Sequence, residues 1–87
     1  MDVFELLALR GTRKVLKALS SNKQMRYSGF VKQVGFATTT SRALKRMEKM
    51  GFLEKKALTE PYRPVAYWLT DKGKRLATVV RELESIA

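Results

Sequence analysis

The sequence predicts a single small domain over residues 1–87, mainly α-helical with a small β-hairpin, which places it in the α+β class. Apolar residues recur at helical spacing along most of the chain. Two short runs, 52–58 and 65–69, instead have the length and the composition of strands. Residues 59–64 between them hold both prolines, which a sheet interior excludes, so this segment predicts the loop of a hairpin.

Two helices are predicted at the start of the chain. Apolar residues between Asp2 and Leu9 predict a short helix that is interrupted near Gly11. Thr12 is expected to cap a second helix, because its hydroxyl can accept a hydrogen bond from a free backbone N–H group. The core stripe of this second helix consists of Val15, Leu16 and Leu19.

A helix-turn-helix is predicted in the middle of the chain. A brief strand over residues 24–27 precedes Ser28, the expected N-cap of a supporting helix that Gly35 ends. The next helix, residues 37–50, has the most regular pattern in the chain, and Gly51 ends it. Its spacing directs three residues into the core: Thr40, Leu44 and Met47.

A final helix follows the hairpin, with Thr70 or Asp71 as its cap. On the returning strand, Tyr67 and Trp68 alternate in direction, so one of them is expected to pack into the core. Two helices joined by a tight turn and followed by a hairpin are the parts of a winged helix-turn-helix. We therefore expect a three-helix core, a wing and two terminal helices.

The charge of the chain indicates a nucleic-acid partner. The net charge is +10, and nine of the eighteen Lys and Arg residues lie between residues 20 and 57, with only two acids. Clustered bases of this kind are typical of nucleic-acid binders, although a basic surface that serves only solubility would look similar. An α-helix fits the major groove of DNA better than the narrow groove of A-form RNA, which favours duplex DNA.

The composition also excludes several classes of protein. The chain has no cysteine and no histidine, so disulfides, thiol nucleophiles, the common zinc sites and imidazole bases are absent. We expect no catalytic residues, no metal and no cofactor. No apolar run is long enough to span a membrane, and the N-terminus is unlike a secretory signal, which predicts a cytoplasmic protein.

The helix after the turn is the expected DNA-reading element. Its outward positions carry hydroxyls and then bases, and Glu48 is expected near Leu44, where it can pair with Lys45 or Arg46. An arginine at the hairpin tip is suited to the minor groove, and the supporting helix is suited to phosphates. The candidate DNA-binding residues are Ser28, Lys32, Thr38, Thr39, Ser41, Arg42, Lys45, Arg46, Lys49, Lys55 and Arg63.

The terminal helices carry more apolar surface than a three-helix core needs, which predicts a homodimer. A dimer would match two half-sites about one helical turn apart on DNA. The candidate interface residues are Phe4, Leu7, Leu76, Val79, Val80, Leu83 and Ile86.

Four segments resemble winged-helix regulators of the HxlR, PadR and MarR kind, most nearly the HxlR type. They are LRGTRKVLKAL (9–19), RYSGF (26–30), TTSRALKRMEKMGFLEKK (39–56) and VAYWLTDKGKRL (65–76). The resemblance implies a dimeric transcription factor, a repressor in our expectation, that binds a pseudo-palindromic operator through residues 38–49 and the wing around Arg63. The chain departs from the HxlR pattern in lacking an early tryptophan and the N-terminal cysteine of redox-sensing members, which excludes thiol-based sensing.

Two alternatives stay open at this point: a winged-helix module that binds another protein, and an architectural protein that binds DNA without sequence preference. Charge reversal on the basic helix would leave partner binding intact in the first case. The second needs the same basic face, so the sequence does not separate it from a specific regulator.

Overall fold

The computed structural model describes residues 1–59, 61 and 64–86. In this part of the chain, five helices and three strands follow one another. They are α1 (Val3–Ala8), α2 (Thr12–Ser21), β1 (Met25–Arg26), α3 (Tyr27–Val34), α4 (Ala37–Lys49), β2 (Leu53–Ala57), β3 (Val65–Leu69) and α5 (Asp71–Ile86). This order confirms the mainly helical α+β class.

The α1–α2 junction differs from the prediction at its cap. Gly11, not Thr12, is the N-cap of α2, with a φ of 92° that favours glycine. A Cβ there would also lie 3.0 Å from Val34 Cγ1 and 3.2 Å from Thr39 Cγ2. Thr12 is the first residue of α2, is fully buried, and its Oγ1 has no hydrogen-bond partner among the described residues. The predicted cap was wrong because close packing against α3 and α4 at this turn requires a glycine.

The supporting helix begins two residues earlier than predicted. Its N-cap is Arg26, so Ser28 lies inside α3 and does not cap it. The other end matches the prediction: Gly35 has a φ of 97°, and its N–H group donates to the Val31 carbonyl at 2.7 Å. Only Gly35 and Phe36 separate α3 from α4, which makes the tight turn of the helix-turn-helix.

The three strands form one antiparallel sheet in the order β1-β3-β2. The strand after α4 is shorter than the predicted 52–58, because the Phe52 N–H group donates to the Met47 carbonyl at 2.9 Å and belongs to the turn. On β3, Tyr67 packs on the core and its ring meets Phe30 edge-on, with 5.7 Å between centroids. Trp68 faces the other side of the sheet.

The core lies between the helices and the sheet. Its fully buried side chains include Leu6, Leu16, Phe30, Leu44 and Met47. The chain therefore holds its helices and its hairpin together through one continuous cluster of apolar side chains.

Helix α5 is anchored by the turn that follows α4. Thr70 Oγ1 donates to the Gly51 carbonyl at 2.6 Å and accepts from the Gly73 N–H group at 3.1 Å, as the predicted capping role requires. Lys72 Nζ donates to the Met50 carbonyl at 2.8 Å and lies 4.6 Å above the Phe52 ring. These contacts connect the last helix to the end of α4.

The apolar stripe predicted on α5 divides between the core and the surface. Leu76 and Val80 are buried within the chain's own core, and Leu7 of α1 is partly buried against it. The side chains left exposed are Phe4, Val79, Leu83 and Ile86.

Among the residues described, none of the helices is both long enough and apolar enough to cross a bilayer.

Candidate nucleic-acid interface

Helix α4 turns one face to the core and the opposite face to solvent. Thr40, Leu44 and Met47 are buried as predicted, and the Thr40 hydroxyl donates to the Phe36 carbonyl at 2.7 Å. Thr39 is half-buried. The exposed candidates on this helix are Thr38, Ser41, Arg42, Lys45, Arg46 and Lys49.

The exposed face of α4 is basic and free of acids. One serine and four basic residues border an open groove of ≈ 430 Å³ on this face. They are Ser41, Arg42, Lys45, Arg46 and Lys49. Because no carboxylate lies in this groove, the four cations produce an unopposed positive field along the helix. Such a surface attracts a phosphate backbone.

The single acid of α4 points away from this groove. Glu48 Oε2 lies 3.3 Å from Lys55 Nζ on β2, and no ion pair joins it to another described residue. The expectation that Glu48 pairs with Lys45 or Arg46 was wrong, because the helix places it opposite the first strand of the wing. Lys55 is thus partly neutralised, although half of its side chain stays exposed.

Tyr27 fixes the first turn of α4 from the start of α3. Its hydroxyl lies 3.0 Å from the Ala37 carbonyl and 2.6 Å from Ser41 Oγ. A tyrosine hydroxyl has one proton, and the carbonyl can only accept, so Ser41 donates to Tyr27. The sequence analysis missed this role of Tyr27. Its position at the strand-to-helix junction was visible in the sequence, but its partners were not, because they lie 10 and 14 residues away.

The remaining candidates lie beside α4. Ser28 and Lys32 are exposed on α3, one helical turn apart, so they share a face. Lys55 on β2 lies opposite Tyr67 on β3 in the strand register. Burial raises the pKa of the Tyr67 hydroxyl above its ordinary value of 10.0, and the positive charge of Lys55 partly opposes this increase. Tyr67 is therefore neutral at pH 7. Arg63, the predicted wing residue, lies outside the described residues.

Neither a metal nor a catalytic constellation emerges from these side chains. The described ranges contain no group of three or more Asp and Glu residues close enough to hold a metal ion. The site has exposed cations and hydroxyls on the solvent-facing side of α4, and these are binding groups.

A basic helix exposed on a helix-turn-helix with a wing defines the class of a DNA-binding winged-helix protein. The family model described as HxlR-like helix-turn-helix matches residues 6–87. The chain belongs to this family, whose members are transcriptional regulators that bind double-stranded DNA and are not enzymes. A comparison with curated protein sequences gives no significant match.

Solved structures of transcriptional regulators share the fold. The reduced form of YodB from B. subtilis is 25% identical with a TM-score of 0.79, over 94% of this chain and 81% of that chain. The ytfH protein from Salmonella typhimurium is 24% identical with a TM-score of 0.84, over 95% and 75%. MarR from E. coli is 20% identical with a TM-score of 0.75, over 83% and 54%.

Proposed function

We propose that this protein is a sequence-specific repressor that binds double-stranded DNA as a homodimer and inserts α4 into the major groove. The observation that carries the proposal is the acid-free basic groove along the exposed face of α4. The membership of the HxlR-like family supports it.

The distribution of side chains along α4 suggests which of them contact bases and which contact phosphates. Thr38 and Ser41 lie in the first turns with Arg42, and arginine makes the commonest specific contact with guanine. Lys45 and Lys49 follow Ser41 at four-residue intervals, so they extend the same face toward the phosphates. Ser41 donates its proton to Tyr27 and offers its oxygen outward, which suits an amino group of adenine or cytosine.

Contacts outside α4 would fix the register of the protein on the duplex. Ser28 and Lys32 on α3 are assigned to the phosphate backbone, as is Lys55 on β2. We assign Arg63 of the wing to the minor groove, whose negative potential attracts arginine.

The homodimer is proposed through α1 and α5. Phe4 and Ile86 are 78% and 81% exposed, and Val79 and Leu83 extend the apolar surface along α5. Burying such a surface in a second copy removes it from water, which stabilises a domain of this size. We propose repression because a dimer bound to a promoter blocks the access of other proteins to that DNA, and this needs no further binding surface on the dimer.

The test is a fluorescence-anisotropy titration of labelled duplexes at several salt concentrations. Arg42→Gln/Arg46→Gln removes two charges from α4, and the control Arg13→Gln/Arg75→Gln removes two from exposed positions on α2 and α5. We expect the α4 variant to bind at least about tenfold more weakly, with a salt slope lower by about one unit for each lost phosphate contact. An equal loss in both variants would show that only net charge matters.

Sequence specificity is tested by selection from a random duplex pool. We expect enrichment of an inverted repeat with half-sites about one helical turn apart. A pool that stays random while binding remains salt-dependent would identify an architectural protein. No binding at low salt would assign the basic helix to a protein partner.

A further inference from the structure

One large apolar side chain in the middle of the chain is exposed to water. Phe36, between α3 and α4, is 62% exposed. The other large apolar side chains exposed among the described residues lie on or beside α1 and α5: Met1, Phe4, Val79, Leu83 and Ile86. Neither the core nor the two helices proposed for the dimer includes Phe36.

The local structure of α4 does not require a phenylalanine at this position. Phe36 is the N-cap of α4, and its side chain makes no capping hydrogen bond. Serine, threonine, aspartate and asparagine stabilise an N-cap, because their side chains accept from the free N–H groups of the first turn. The Phe36 carbonyl accepts from the Thr40 N–H group at 3.0 Å and from the Thr40 hydroxyl at 2.7 Å. These bonds hold the backbone of Phe36, while its ring is left for a contact outside the chain.

Phe36 lies at the amino-terminal tip of the basic helix. Residues 35–38 are all exposed, and both direct neighbours, Gly35 and Ala37, are too small to cover the ring. A Cβ at Gly35 would meet nothing within 4 Å, so the space around this turn is open. The exposed face continues along α4 to Arg42. The Phe36 ring therefore extends the proposed DNA surface beyond the first turn of α4.

The major groove of DNA offers few partners to a phenylalanine ring. The ring has no charge and no hydrogen-bonding group, so it is not suited to a phosphate or to the donors and acceptors of the base edges. The apolar group that a base edge displays in the major groove is the 5-methyl group of thymine. Contact between the ring and this methyl group would remove apolar surface of both from water.

We propose that Phe36 contacts the 5-methyl group of a thymine and thereby selects thymine at one position of each half-site. The inference rests on the proposed function, because it requires α4 to lie in the major groove. Phe36 precedes Arg42 by six residues, a helical rise of roughly 9 Å, and successive base pairs are about 3.4 Å apart. The thymine therefore lies within about three base pairs of a guanine contacted by Arg42.

Deoxyuridine provides the test, because it differs from thymidine only in lacking the 5-methyl group. The preferred duplex is first selected from the random pool, and each thymine of a half-site is then replaced in turn by deoxyuridine. Fluorescence anisotropy gives the dissociation constant of each duplex. We expect one replacement to raise it about three- to fivefold, which is the effect of removing one methyl group from an apolar contact.

Two variants at position 36 assign the contact to its ring. In Phe36→Ala, we expect the same replacement to change the dissociation constant less than about 1.5-fold, because the two partners of one contact are not additive. Phe36→Leu is the matched control, because it keeps an apolar side chain and should retain most of the effect. Replacement of the other thymines should have equal effects in all three proteins. Phe36 is exposed, so both variants retain the core, which a thermal unfolding curve checks.

Two results would overturn the inference and leave the proposed function intact. They are the absence of any thymine at which deoxyuridine weakens binding, and an effect of deoxyuridine that is equal in wild type and Phe36→Ala. In the second case, sedimentation of Phe36→Ala as a monomer would assign the ring to an interface between copies of the chain. A pool without an enriched sequence would refute both proposals. The selection step thus tests the proposed function, and the deoxyuridine step tests Phe36.

Discussion

Replacing Tyr27 by phenylalanine tests whether α3 holds the DNA-reading helix in place. The hydroxyl of Tyr27 makes two hydrogen bonds to the first turn of α4, to the Ala37 carbonyl and to Ser41 Oγ. The ring itself is half-buried against the core, and phenylalanine would keep that packing. The change therefore removes the two hydrogen bonds and little else.

The expected cost follows from the number and exposure of these bonds. A hydrogen bond contributes about 0.5–1.5 kcal/mol net, and both bonds lie near solvent, where water replaces a lost partner. We expect the free energy of unfolding to fall by about 1–2 kcal/mol. For a domain of this size, this corresponds to a decrease in Tm of roughly 5–10 °C.

The assay is thermal unfolding followed by circular dichroism at one protein concentration. Tyr67→Phe is the matched control, because the Tyr67 hydroxyl makes no hydrogen bond with another described residue. Base preference is measured in parallel, since Ser41 would be free to donate its proton and to bind acceptors as well as amino groups. Equal unfolding curves for the two variants, with unchanged base preference, would refute the positioning role of Tyr27.

Four further changes test other parts of the molecule. Arg42→Ala should cost on the order of 1–3 kcal/mol of binding and relax base preference at one position; an equal loss on every sequence would make it a phosphate contact. Lys49→Ala should weaken binding uniformly and lower the salt slope by about one unit, whereas an unchanged slope would remove it from the interface. Leu83→Asp should give a monomer by sedimentation, since Leu83 is 56% exposed; a persistent dimer would place the interface elsewhere. Gly73→Ala should destabilise the fold by about 1–3 kcal/mol in urea unfolding, because its Cβ would overlap the Phe52 backbone oxygen; wild-type stability would contradict that packing.

Local patterns predicted the elements well. Apolar spacing in α4 placed Thr40, Leu44 and Met47 in the core, and the glycine after α3 marked the end of that helix. The strand 65–69 was predicted with the bounds that β3 has. These features depend on neighbours within one or two turns, which a sequence displays directly.

Two of the errors occurred where the residue's partner lies on another element of the fold. Glu48 was assigned to neighbours on its own helix, but its partner Lys55 lies across the turn on β2. Thr12 was assigned a capping role, but packing against Val34 and Thr39 places Gly11 at that position. In each case a tertiary contact competed with a local preference and was the stronger of the two.

The sequence by itself determined the element order, the basic character of α4 and the absence of thiol and imidazole chemistry, because composition and periodicity are local properties. Only the tertiary structure decided which apolar residues of α5 are buried and which remain exposed. It also decided the link from Tyr27 to Ser41. These depend on how elements far apart in the chain meet, and that geometry follows from packing of the whole core.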